Sequence, residues 1–287
     1  MSHENNPTML HTLEAGSDWH VLPAFLPLPG MGGLAINAFL HKGSEPVLVD
    51  TGLAALGDSF LDALEAEIDL TDLRWIWLSH TDADHIGNLS RILERAPKAR
   101  VVTSFLGMGK MGLLGLDVSR VHLLEPGARL TLGDRELVPL RPPYYDAPET
   151  LGFFDTRSRT LFAADSFGAL LPQPAGSVRE IATSTLRDGL VAWSAIDAPW
   201  LATADRAALG RALHGLERLA PTTVLSGHLP VAEGGVEELT AMVHSAWCSG
   251  PGTGIDPQAI ETVAEALGDA IGLPTQSAAA SLVGSSR

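Results

Sequence analysis

Six consecutive residues, His80-Thr81-Asp82-Ala83-Asp84-His85, place two imidazoles and two carboxylates between an apolar run, Arg74 to Ser79, and a helical pattern, Ile86 to Ala96. A strand that ends in ligand-type side chains and turns at once into a helix restricts the chain to layered α/β folds that present such residues at a sheet edge. On extended backbone, side chains two apart project to the same side, so His80 and Asp82 can converge on one ion. Asp84 and His85, around the turn, can face a second. Two further candidates close later apolar runs: Asp165 in Phe162-Ala163-Ala164-Asp165, and His228 in Ser226-Gly227-His228. Rigid strand ends suit a metal site, which needs fixed geometry.

The remaining pattern supplies the layers. Leu34–Leu40 and Pro46–Asp50 read as a hairpin broken at Gly43 and Ser44, and Asp50-Thr51-Gly52 ends its second strand. Apolar residues at Phe60, Leu61, Leu64 and Ile68 have helix spacing, with Asp58 or Ser59 as the expected cap. Pro97 stops the helix that follows the six-residue loop. Residues 100–103 read as a strand, and Gly107 to Gly115, with four glycines, as a mobile loop. Short strands are expected over 121–141, a hairpin over 151–164, helices over 187–196 and 203–219, a strand at 224–228, and helices over 232–248 and 256–271. Strands fall in two groups, each followed by helices. This pattern fits a four-layer αββα sandwich rather than a regular βαβ alternation. Residues 1–19 read as a loose lead-in, 20–250 as the domain, and 251–287 as a C-terminal helix and frayed tail.

Composition excludes several function classes. A formal net charge of −15 disfavours nucleic acid and anionic membrane surfaces. The single cysteine, Cys248, allows neither an intrachain disulfide nor a thiolate metal cluster. The polar N-terminus shows no signal-peptide pattern, and no apolar run approaches the roughly 20 residues of a membrane span. A cytoplasmic location is the expectation.

These motifs, in this order, resemble the metallo-β-lactamase superfamily over roughly residues 20 to 235. That family has a His-x-His-x-Asp-His motif, a strand ending in Asp-Thr-Gly, a later bridging Asp, and a final His after Gly. Here Asp82 stands where most of the family has its second histidine. The flavodiiron branch of the superfamily is more similar. It has a carboxylate at that position, and it places its third histidine before the bridging Asp with 18 residues intervening. The chain has Asp146 with that separation from Asp165, and Asp165-Ser166-Phe167-Gly168 looks like the branch's Asp-Ala-Phe-Gly.

The resemblance implies that His80, Asp82 and Asp146 hold one metal ion and Asp84, His85 and His228 the other, with Asp165 bridging. In the flavodiiron branch the histidine at position 85 can stand off the metal. Asp84 and Tyr145 are the expected catalytic residues. Histidine suits zinc, whereas carboxylate suits harder ions, so two metal ions with Fe favoured over Zn or Mn are expected. The implied function is binding or reduction of O2 or NO, with a separate flavoprotein or rubredoxin-like electron donor. The alternatives are a metal-dependent hydrolase of an ester, lactone or thioester, and a non-catalytic oxygen sensor. A homodimer is compatible with the pattern.

Overall fold

In a computed structural model, residues 6–248 are described. The first sheet contains β1 (Thr8–Met9), β2 (Leu13–Ala15), β3 (Trp19–Leu28), β4 (Gly32–His41), β5 (Val47–Val49), β6 (Trp75–Trp77), β7 (Arg100–Thr103) and β8 (Val121–Leu123). Its order is β1-β3-β4-β5-β6-β7-β8, with β2 paired to β3 and β13 (Leu170–Leu171) paired to β4. The second sheet runs β15-β14-β12-β11-β10-β9. Its strands are β9 (Leu130–Leu132), β10 (Arg135–Leu140), β11 (Gly152–Asp155), β12 (Thr160–Phe162), β14 (Thr223–Ser226) and β15 (Leu229–Glu233).

Side-chain alternation builds the layers. Val47, Val49, Trp77 and Val102 face Leu137, Phe153, Phe162 and Leu225 between the sheets. The intervening Leu48, Ile76 and Val101 face the opposite way. They pack on Phe60, Leu61 and Leu64 of α1 (Gly57–Glu67), Ile92 of α3 (Leu89–Arg95) and Met111 of α4 (Phe105–Leu113). The outer face of the second sheet is covered by α5 (Thr183–Asp197), α6 (Arg206–Leu219) and α7 (Val236–Trp247) through Leu190, Leu213 and Val243. The αββα sandwich expected from the sequence is the observed fold.

Several local expectations are corrected. Residues 8–15 are not loose: β1 and β2 pair antiparallel with β3. The Gly107–Gly115 stretch is not a loop but largely α4, whose N-terminus Ser104 caps by accepting from Gly107 N–H. Burial of Met111 outweighs the glycines' low helix propensity. Neither Asp58 nor Ser59 caps α1; Leu56 occupies that position without a side-chain bond. The helix expected from Ile86 to Ala96 instead starts inside the six-residue loop and is split into α2 (Ala83–Ile86) and α3. Between them, a Cβ on Gly87 would stand 2.2 Å from Ala54 N, so the chain passes too closely for a side chain. The 232–248 segment begins as the end of β15 before turning into α7. The expected helix at 256–271 and the tail lie outside the described residues.

Gly189 illustrates how closely α5 is seated, since a Cβ there would lie 2.1 Å from Leu170 O. In an exposed helix Gly→Ala gains up to about 1 kcal/mol. Here Gly189→Ala is expected to lose roughly 1–3 kcal/mol from overpacking. Urea unfolding would measure it, and a stabilised variant would refute the close packing of α5 on β13.

Candidate metal centre

The parallel strands β5 and β6 in one sheet, and β12 and β14 in the other, all end at the same rim of the sandwich. Ligands bind characteristically beyond such carboxyl ends. Asp50 follows β5, His80 follows β6, Asp165 follows β12, and His228 lies in the turn between β14 and β15. The loop from β10 to β11 adds Asp146. Residues 80 to 228 are thereby brought to one place.

Asp165 is the centre, buried at 3% exposure. Its carboxylate lies 3.2 Å from His80 Nε2, 3.3 Å from His85 Nε2 and 3.5 Å from His228 Nε2. Asp84 lies 3.5 Å from His85 Nε2 and 3.4 Å from His228 Nε2, and Asp146 lies 3.8 Å from His80 Nε2. Potential donor atoms form sets within 4.8 Å of one another: His80, Asp82 and Asp146; Asp84, His85 and His228; His80, His85 and Asp165. Gly227 permits this approach, because a Cβ there would sit 2.8 Å from Asp165 Oδ1.

The far nitrogen of each ring is tied to the scaffold. His228 Nδ1 donates to the Ala35 carbonyl at 2.8 Å, which assigns its proton to Nδ1. His85 Nδ1 donates to Asp50 Oδ2 at 2.8 Å. Ser79 Oγ donates to Asp50 Oδ2 at 2.7 Å, leaving its lone pair to accept from His80 Nδ1 at 3.0 Å. Asp50 also accepts from Ser79 N–H. One buried carboxylate therefore orients two imidazoles, the arrangement that fixes tautomer and ring orientation around metals. Asp50 sits at φ 57°, in the left-handed region, at the end of β5. Sequence reading noticed Asp50-Thr51-Gly52 as a strand end and did not place Asp50 at the site. The signal that could have found it is the strand-end carboxylate itself. The six-residue loop is anchored by Thr81 Oγ1, which donates to Glu149 at 2.9 Å; Lys110 pairs with the same oxygen at 2.7 Å.

Donor orphans test the fit of a metal. His80 Nε2, His85 Nε2 and Asp165 Oδ1 are buried and make no hydrogen bond. Buried polar atoms are otherwise nearly always satisfied. Imidazole nitrogens and carboxylate oxygens aimed at one another are what cations join, so the residues fit a metal pair. Without one, protons take the cations' part. Burial would lower the histidines, but the surrounding carboxylates, Asp165 foremost with Asp84, Asp50 and Asp146, together outweigh it, raising His80 and His85 and holding His228 at about 9. Burial would raise Asp165, but His85, His228 and His80 hold it well below the usual range. Burial, with Asp165 and Asp82, pushes Asp146 up to about 6.

Metal must displace these protons, so apparent affinity is expected to climb steadily between about pH 6 and about pH 9. Competition against a chelator across that range would show it, and a flat profile would contradict the protonated cluster.

The other expected residues divide. Asp82 is exposed at the mouth and Asp84 half-buried. Tyr145, next in the chain to Asp146, packs its ring 5.8 Å from Trp200 and 5.3 Å from the Arg141 guanidinium. Its buried neighbour Tyr144 supports the loop after Asp165, its Oη accepting from Phe167 N–H at 2.6 Å. Sequence reading missed Asp197, at the last turn of α5, whose carboxylate groups with Asp146 and Asp165.

Comparison with known proteins identifies the family and the fold. A family model described as ODP family beta lactamase matches residues 34–190, more than half of the chain. Among curated proteins, the type A flavoprotein fprA of Rhodobacter capsulatus is 34% identical over 141 residues, covering 48% of this chain and 32% of that protein. The anaerobic nitric oxide reductase flavorubredoxin of Pectobacterium atrosepticum is 26% identical, covering 47% and 27% respectively. The matched segment spans about a quarter to a third of such relatives. Among solved structures, rubredoxin oxygen:oxidoreductase from Desulfovibrio gigas superposes with a TM-score of 0.71 at 20% identity, covering 81% of this chain and 60% of that one. The flavodiiron protein of Giardia intestinalis gives 0.73 at 16%, covering 85% and 60%. These structural likenesses establish the shared fold, and the sequence match over strands β4 to β13 carries the assignment: this chain belongs to the ODP family of beta-lactamase-like proteins.

Proposed function

We propose that the chain is a dinuclear iron protein that binds or reduces dioxygen or nitric oxide. The observation that carries this reading is the donor set around Asp165, in which carboxylates outnumber imidazoles. Carboxylate oxygen favours harder ions such as iron over zinc. In this reading His80, Asp82 and Asp146 hold one ion, Asp84, His85 and His228 the other, and Asp165 bridges. Two bound irons would supply Lewis acidity and reversible one-electron steps.

The protein's own residues set the conditions. Asp50, Ser79 and the Ala35 carbonyl keep the three imidazoles aimed inward. Buried Tyr144, Phe167 and Ala164 wall the Asp165 side from water. The exposed Asp82 and half-buried Asp84 mark the side open to a small diatomic ligand. Relatives named as a flavorubredoxin and a rubredoxin oxygen:oxidoreductase support a flavin- or rubredoxin-bearing electron donor. Among the described residues, no helix is long and apolar enough to cross a membrane.

Protein isolated without oxygen and analysed for metal is expected to carry about two irons per chain, with visible absorption that changes on exposure to O2 or NO. With a reduced flavoprotein donor, gas consumption on an oxygen or nitric oxide electrode would mark a reductase. A reversible spectral change without donor oxidation would mark a sensor. Colourless protein with stoichiometric zinc that cleaves esters or lactones would overturn the redox reading.

A further inference from the structure

The last turn of α5 brings an additional carboxylate to the centre. Asp197 Oδ2 is buried and makes no hydrogen bond. Oxygens of Asp146, Asp165 and Asp197 lie within 4.8 Å of one another. Asp165 is 3% exposed, and the fully buried His80 Nε2, which lies 3.2 Å from Asp165 Oδ2 and 3.8 Å from Asp146 Oδ2, is also without a hydrogen bond.

The position is unfavourable for a carboxylate in every local respect. Asp197 ends a fifteen-residue helix, where the macrodipole disfavours negative charge. No basic residue occupies that last turn, and no Lys or Arg among the described residues pairs with Asp197. Two further carboxylates stand within reach, and like charges so placed repel. Local rules broken without local compensation mark functional positions. Nor is the placement loose. Gly189 seats α5 against the Leu170 backbone, and Trp193, one turn before Asp197, packs on His228 at 5.2 Å between ring centroids and on Gly168.

From this geometry, and resting on the two-metal reading above, we propose that Asp197 supplies a further oxygen ligand to the ion held by His80, Asp82 and Asp146. A cation there reconciles the three carboxylates and gives Asp197 Oδ2 and His80 Nε2 a partner. It also explains how this half of the centre holds an ion with Asp82 exposed and a single histidine among its donors.

The test uses the full-length, metal-stripped protein and Mn2+ alone as the probe. Stoichiometry and affinity are read by chelator competition, and the metal environment by electron paramagnetic resonance. The unsubstituted protein is expected to bind about two ions. Asp197→Asn and Asp197→Ala should weaken one of the two by about tenfold or more and alter the coupled Mn2+ signal, leaving the other ion's affinity unchanged. Asp188→Asn, on the exposed face of the same helix, should behave as the parent protein. Circular dichroism establishes that each variant is folded. Asp197→Asn keeps the side chain's shape while removing its charge, so two ions held at parental affinity in both Asp197 variants would overturn the proposal while leaving the dinuclear reading intact. A parent protein that binds no pair of ions would overturn both.

Discussion

Replacing Asp165 with Asn is expected to abolish paired metal binding while leaving the fold intact. The carboxylate lies between three buried imidazoles, 3.2, 3.3 and 3.5 Å from their Nε2 atoms. In the proposed centre it is the one residue shared by both ions, so its removal weakens each of them. An amide offers one neutral oxygen, and its NH2 points a donor at nitrogens that must themselves donate electron pairs. Outer partners of metal ligands already contribute about 10–100-fold in affinity, so loss of the shared carboxylate should cost at least about 100-fold. Metal analysis after gel filtration and chelator competition would measure it. Because Asp165 sits on a strand end framed by buried Ala163, Ala164 and Phe167, circular dichroism should remain that of the parent. A variant that keeps both ions at parental affinity would remove Asp165 from the centre.

The largest loss of stability is expected far from the metal rim, at Asp155. This fully buried carboxylate ends β11 and pairs with Arg135, whose side chain is 4% exposed. It also accepts from Trp19 Nε1 at 3.2 Å, Ser158 Oγ at 2.7 Å and Arg157 N–H at 3.0 Å. Arg135 turns its other nitrogen to Asp18, which is only partly buried. Truncation to Ala strands a guanidinium in the interior with one half-solvated partner. Breaking a buried pair in this way costs about 3–5 kcal/mol, and denaturant unfolding would show it as a lowered midpoint. The double replacement of Arg135 and Asp155 by apolar residues should recover part of the loss, since no charge is then left unpaired. A single Asp155→Ala variant within about 1 kcal/mol of the parent would mean that water reaches Arg135.

The two predictions separate what is legible in the chain from what is not. The site loop, the strand-end Asp165 and the Gly-His turn are local features, and they are visible because ligand-type side chains stand at strand ends. The layers were legible too, because period-two alternation in β5, β6 and β7 and helix-period patterns beside them report which faces are buried. Other features were hidden by competing local signals. Four glycines made 107–115 look unstructured, yet the Ser104 cap and the burial of Met111 hold it as helix. Gly87, read as part of one helix, splits it, because the chain before α1 crosses directly over it. The short strands β1 and β2 carry little pattern of their own; pairing to β3 forms them.

The sequence by itself determined that this chain is a two-sheet sandwich with metal-type side chains at the ends of its strands. Periodicity and ligand chemistry are properties of short segments. Only the tertiary structure decided which of those side chains meet. It set Asp50 behind His80 and His85, packed the Tyr145 ring beside Trp200, and grouped Asp197 with Asp146 and Asp165. These outcomes depend on the register of β12 against β14 and on how closely α5 approaches β13 through Gly189, distances that arise only when separate segments pack. Convergence on Asp165 is therefore a consequence of packing, and packing at this rim assigned an outer support and one further carboxylate that no local motif announces.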